Sequence, residues 1–253
     1  MLTMAALFNV HWGDYTSDLG QGLVKTIEYT VAGFVGAALL GLVLALMRLS
    51  KARAVRTLAA IYTELFKNVP LLAIIFLTYF GLASVGVRFG VFEAGTLSLI
   101  IFYAAYLSEI FRAAISGVHG GQQEAAEALG LSRRATFANV IFPQALRSAL
   151  PGTNTMLVDL LKSTSLLVTI SAAELMSQGQ LIASETFRAL EVYFVISVLY
   201  FALCYPVSQA LLWFERQVRA GVPLLPRRRR RRGSSGTPAA IWRSNHSRPW
   251  DSG

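Results

Sequence analysis

The chain has 253 residues, of which 54% are apolar and only 15% charged, with a formal net charge of +9. A soluble domain carries about 25% charged residues, so lipid is the implied solvent for much of this chain. The charge is no nucleic-acid footprint. Arg227 to Arg232, Arg243 and Arg248 oppose a single acid, Asp251, at the end of the chain, and the body before them is nearly neutral.

Residues 1–22 lack a membrane-length apolar run and read as a short extracytoplasmic segment. Crossing the hydrocarbon core takes about 20 helical residues. Tyr29–Met47, charge-free between Glu28 and Arg48, supplies a first span. A second is charge-free over Asn68–Val87 and is expected to start near Leu58, with Pro70 kinking or loosening it. A third covers Ala94–Phe111 and includes Glu109 near its end. Leu150–Glu174 is apolar enough to insert but carries Asp159 and Lys162, so its neighbours must shelter it as a fourth span. Val192–Phe214 is a charge-free fifth.

Basic residues mark the cytoplasmic side of membrane proteins. Arg48, Lys51, Arg53 and Arg56 follow the first span, and Arg112, Arg133, Arg134 and Arg147 follow the third. Arg216 and Arg219 follow the fifth, while the opposite loops hold Arg88, and Arg188 among Glu174, Glu185 and Glu191. The N-terminus is therefore expected outside and the C-terminus inside. The organisation expected is a five-span all-α membrane domain over 23–220 and an unstructured Arg-rich cytoplasmic tail over 221–253. The single cysteine, Cys204, excludes an intrachain disulfide, and the scattered His11, His119 and His246 make no metal set.

The loop between the third and fourth spans, about residues 120–143, is longer than a simple connection needs. Gln122–Leu129 is rich in the helix formers Ala, Glu and Gln. Gly130 sits where a helix ends in a left-handed residue, and Ser132 can cap a second helix opening on Arg133 and Arg134. Pro143 marks a break within or after that helix. The segment reads as a cytoplasmic helix–turn–helix whose small side chains let another protein approach closely.

Glu124-Ala125-Ala126, then Gly130, then Val140-Ile141-Phe142-Pro143 resembles the EAA loop of ABC importer permeases, with Val140 and Phe142 as conservative departures. YTELFKNVPLL (62–72), AYLSEIFRAAI (105–115), GGQQEAAEALGLS (120–132) and LLKSTSLL (160–167) are similar to the signatures of the polar amino-acid uptake subfamily. Lys67-Asn68-Val69-Pro70 departs from that subfamily's usual Arg-Gly/Asn-Thr-Pro, and Ser163 stands where it has an acid. The resemblance implies a type I importer fold, with the loop as a coupling helix docking on an ATPase subunit. It further implies a second permease subunit and an extracytoplasmic solute-binding protein that delivers an amino acid. No Gly-x-x-x-x-Gly-Lys-Ser/Thr stretch occurs, so ATP-Mg belongs to the partner and this chain is no enzyme.

Intramembrane charges are costly and usually functional. Asp159 and Lys162, three residues apart, can pair, with Ser163 close to Asp159. Together with Thr164 and Ser165 they are expected to line the path of a zwitterionic amino acid, Asp159 meeting the ammonium and Lys162 or the hydroxyls the carboxylate. A buried pair that sets helix packing is the competing reading. Glu109 is expected to act as a gate or loop anchor. A stand-alone secondary transporter or channel is the alternative function, though no internal repeat of the helical pattern supports it.

Overall fold

The structure is a computed structural model and describes residues 10–220, all of whose regular elements are helical. Three helices are long and apolar enough to cross a membrane, and two bent pairs bring the total to 5 if each is one span. The expected Arg-rich tail over 221–253 lies outside the described residues, as do the first residues of the N-terminal segment.

Helix α1 (Trp12–Arg48) starts well before the charge-free stretch. Glu28, which bounds that stretch on its N-terminal side, does not end the helix, because Lys25 and Glu28 neutralise each other along it at 2.7 Å, whereas the helix does end at Arg48. One face of α1 repeats small residues every fourth position: Gly33, Ala37, Gly41 and Ala45 are all buried. They meet α5 (Val91–Ser116), where a Cβ on Gly41 would lie 2.9 Å from Leu107 Cβ and 3.1 Å from the Ala104 carbonyl. Lipid tails are as apolar as leucine, so membrane helices associate through such close packing rather than through the hydrophobic effect. The opposite face, including Val31, Val35, Leu39 and Val43, is exposed. The core beneath the stripe gathers Leu99, Tyr103, Leu107, Leu160 and Leu167.

The second span is more than kinked. Helix α2 (Arg53–Asn68) and the run α3 (Leu71–Phe76), π-turn Leu77–Gly81 and α4 (Leu82–Ser84) are bent by 107° about Val69–Pro70. Val69 is extended, as a residue before proline prefers. The Tyr106 hydroxyl donates to the Lys67 carbonyl at 3.2 Å, satisfying an acceptor that the broken helix leaves open.

After α5 come α6 (Gly120–Ala128) and α7 (Arg133–Thr136), then a π-turn (Phe137–Ile141) leading into α8 (Phe142–Ser163). The break expected at Pro143 is absent. Proline is tolerated in a first helical turn, and the wider π-turn before it relieves the clash its ring would make with the preceding turn. The fourth span accordingly starts earlier than expected and ends sooner as α-helix. Thr164–Ile170 tightens to a 3-10 helix, Ser171 is left-handed (φ 57°), and α9 (Leu175–Thr186) leaves at a 49° bend. Helix α10 (Ala189–Ala220) closes the described chain.

Candidate functional site

The α6–α7 hairpin presents almost its whole surface. In α6 only Ala126 is buried, and Glu124, Ala125, Gly130, Arg133 and Arg134 are exposed. Leu129, at 80% exposure, is a large apolar side chain that the described residues leave uncovered. Gly130 is left-handed (φ 75°), and its N–H reaches the Glu127 carbonyl at 3.0 Å while that of Leu131 reaches Ala126 at 3.1 Å. These are the paired bonds of a glycine-terminated helix. Ser132 then caps α7, its hydroxyl accepting from the Ala135 N–H at 3.3 Å. The turn is closed by backbone and side-chain hydrogen bonds and the helix before it is exposed, which suits a docking element.

Glu109 holds three helices together. Its two carboxylate oxygens accept from Arg48 of α1 at 3.1 Å and from Lys67 of α2 at 2.9 Å. Beside it, Thr63 and Ser108 join α2 to α5 through a buried 3.2 Å hydroxyl pair. These bonds tie α5 to α1 and α2 through the Glu109 carboxylate.

Asp159 and Lys162 come together with Ser163, but through a residue that sequence reasoning missed. Tyr103, at the midpoint of α5, lies 2.9 Å from Asp159 Oδ2 and 2.8 Å from Ser163 Oγ. A phenol has one proton, so Tyr103 donates to the carboxylate and the Ser163 hydroxyl donates to Tyr103. Lys162 Nζ stands 3.6 Å from Asp159 Oδ1, an ion pair without a tight hydrogen bond. The pair is not buried: the Lys162 and Asp159 side chains are 58% and 50% exposed, in a groove between α8 and α10 that Asn154, Thr155 and Ser208 also line. Ser165 turns back to the Lys162 carbonyl at 2.8 Å. Thr164 parts from the group altogether; it is fully buried, and its hydroxyl donates to the Leu161 carbonyl.

Glu174, which the sequence places among the acids of an outer loop, is fully buried. It caps α9, accepting from the N–H groups of Met176 and Ser177 at 2.8 Å each, from the Ser177 hydroxyl at 3.0 Å and from Tyr200 of α10 at 2.7 Å. Thr26 of α1 completes the joint by accepting from the Leu175 N–H at 3.2 Å. The available signal was a lone acid directly before an apolar helical run; its partner Tyr200 lies too far along the chain for a local pattern to reveal. Among the described residues no cluster of His, Cys, Asp and Glu suits a metal ion.

Residues 37–220 match the family model described as "Binding-protein-dependent transport system inner membrane component". The chain is 32% identical over 198 residues to the probable glutamine ABC transporter permease protein GlnM of Bacillus subtilis (strain 168), covering 78% of this chain and 92% of that protein. It is 37% identical over 187 residues to the probable amino-acid ABC transporter permease protein YckA of the same organism, covering 72% and 82%. Among solved structures, an amino acid ABC transporter crystallised with histidines superposes with a TM-score of 0.77 at 33% identity, over 86% of this chain and 99% of that one. The inward-facing MetNI methionine transporter shares the fold, with a TM-score of 0.67 at 20% identity over 81% and 98%. The long family match and the near-complete structural overlap converge: this chain belongs to the binding-protein-dependent inner-membrane components, the non-catalytic permease subunits of ABC importers.

Proposed function

We propose that the chain forms, with a second permease subunit, the membrane path of an ABC importer for polar amino acids, driven by a separate ATPase and fed by an extracytoplasmic solute-binding protein. The observation that carries this reading is the half-exposed pair Asp159–Lys162 on a largely apolar bundle. Each charge would cost about 2.5–3.5 kcal/mol facing hydrocarbon at the centre of a span. That Asp159 is bonded to Tyr103, midway along α5, supports a depth near the centre. Such a face needs another subunit against it and a polar path between the two. An opposed carboxylate and ammonium 3.6 Å apart, with Ser163 beside them, complement the two ends of a zwitterion. Names of relatives and of a solved structure that mention amino acids support the same substrate class.

The exposed α6–α7 hairpin is the docking element for the ATPase, which holds ATP-Mg; Glu124, Ala125 and Gly130 offer the exposed surface, with Arg133 and Arg134 exposed past the turn, while Ala126 is buried and packs the hairpin instead of facing a partner. The clusters of basic residues at this end of the helices support a cytoplasmic position for it in a bacterial cell, with the N-terminus outside and the C-terminus inside. Purification of the tagged chain from its native membranes tests the assembly. A P-loop ATPase and a second permease copy or close relative are expected in stoichiometric amounts. Recovery of the chain without any ATPase, from membranes where it is abundant and folded, contradicts the proposal.

A further inference from the structure

At the hairpin end of the bundle, one pocket is lined by arginines from three helices: Arg48 of α1, Arg56 of α2 and Arg112 of α5. Their positive charge is incompletely matched. Arg48 and Lys67 share the single carboxylate of Glu109, and Glu64, also at the pocket, leans to Lys67 at 3.6 Å. Among the described residues, Arg56 reaches only a backbone oxygen, that of Ser50 at 3.3 Å. The Arg112 Nε–H is buried and has no hydrogen-bond partner among the described residues. A buried donor without an acceptor is costly and marks a place where a further group belongs. Guanidinium groups converging from separate helices suit the several oxygens of a phosphate, which each can grip with two parallel bonds.

The helix that forms one wall of this pocket carries a second feature. Val55, Leu58, Ile61 and Leu65 recur at helical spacing on α2 and are exposed, and Ile61 also borders the pocket. An apolar stripe beside a basic cluster is the pattern of a helix lying at a membrane surface. A free phosphate would leave the stripe unexplained, whereas a lipid uses both features.

We propose that the Arg48–Arg56–Arg112 pocket binds the phosphate of an anionic phospholipid from the inner leaflet, with its acyl chains along the Val55–Leu65 face of α2. The proposal rests on the orientation assigned above, which puts this end of the bundle in the cytoplasm. The test is native mass spectrometry of the full-length chain, purified with its ATPase, in detergent supplemented with phosphatidylglycerol. Lipid retention is read on the mass peak of this chain with or without ATPase bound, so a failure of subunit assembly leaves the lipid result readable. Wild type is expected to retain phosphatidylglycerol and not phosphatidylcholine. The Arg56→Gln/Arg112→Gln double variant should lose it roughly thirtyfold, the effect of removing two basic contacts. Arg56→Gln alone changes an exposed side chain, and is expected to lose about fivefold while membrane abundance stays near wild type. Arg53→Gln, exposed on the same helix but outside the pocket, should behave as wild type. Unchanged retention in the double or the Arg56 variant, or equal retention of phosphatidylcholine, overturns the proposal. Displacement by millimolar inorganic phosphate assigns the pocket to the free anion and overturns it too. So does loss of ATPase from the double variant with lipid retention unaltered, which assigns the arginines to a protein partner.

Discussion

Glu124→Lys and Gly130→Asp are expected to abolish uptake while the chain stays in the membrane at near wild-type abundance. Both positions are solvent-facing on the hairpin, and among the described residues nothing lies within 4 Å of a Cβ built on Gly130. The strain of a non-glycine residue at φ 75° is about 1–2 kcal/mol, and aspartate is among the residues that tolerate it best. That cost falls on one exposed turn and leaves the packed helices alone. The loss instead arises at the surface offered to the ATPase: a reversed charge on α6, and a new charge and side chain at a tight turn. Like charges brought together across an interface cost several kcal/mol, so copurifying ATPase should fall at least about tenfold. Immunoblotting of membranes, ATPase recovery and uptake are the three readouts. Normal uptake in both variants removes the hairpin from its coupling role.

The second large effect concerns Asp159 and Lys162. Asp159→Asn leaves Lys162 without its counter-charge and weakens the bond from Tyr103, a charge-assisted interaction worth about 1.5–3 kcal/mol. Lys162→Met leaves Asp159 charged but still held by Tyr103, so the lysine variant should retain more folded protein than the aspartate variant. Replacing both together with apolar residues, Asp159→Leu/Lys162→Met, removes both charges and is expected to fold and to assemble with the ATPase. If the pair is a lining of the path, uptake in this double variant stays at least about tenfold below wild type or changes specificity, the loss expected when a site's polar contacts to its substrate are removed. Full uptake with unchanged specificity would reduce the pair to helix packing. Tyr103→Phe separates the two contributions, because it keeps the ring in the core and deletes only the hydroxyl that binds Asp159 and Ser163.

What the sequence made legible was local. The hairpin follows from helix formers over Gln122–Leu129, a left-handed glycine and a serine cap, each acting within a few residues. The long apolar runs likewise announce α1, α5 and α10. Span limits were less legible because a charge that bounds an apolar run need not end a helix, as Glu28, paired with Lys25, shows within α1. Pro70 and Pro143 look alike in sequence yet act oppositely. Pro70 follows an extended residue and turns the chain, whereas Pro143 enters a first helical turn after a π-turn and is accommodated. The polar contacts that organise the interior were hidden for another reason. Tyr103 with Asp159, Glu109 with Arg48, and Glu174 with Tyr200 join residues on different helices, and no spacing rule reports such pairs. The departure Ser163, where the resemblance expects an acid, is explained locally by its bond to Tyr103, which an added carboxylate beside Asp159 would crowd with negative charge.

Uptake of radiolabelled amino acids into proteoliposomes tests the central claim most directly. The chain is reconstituted with its copurified permease partner and ATPase, ATP-Mg on the face carrying the hairpin and the solute-binding protein on the other. Accumulation of a polar amino acid is predicted only when ATP, the ATPase and the binding protein are all present, with collapse of ion gradients having no effect. Accumulation by the permease alone, driven by a proton or sodium gradient and indifferent to ATP, would contradict it and make the chain a stand-alone transporter.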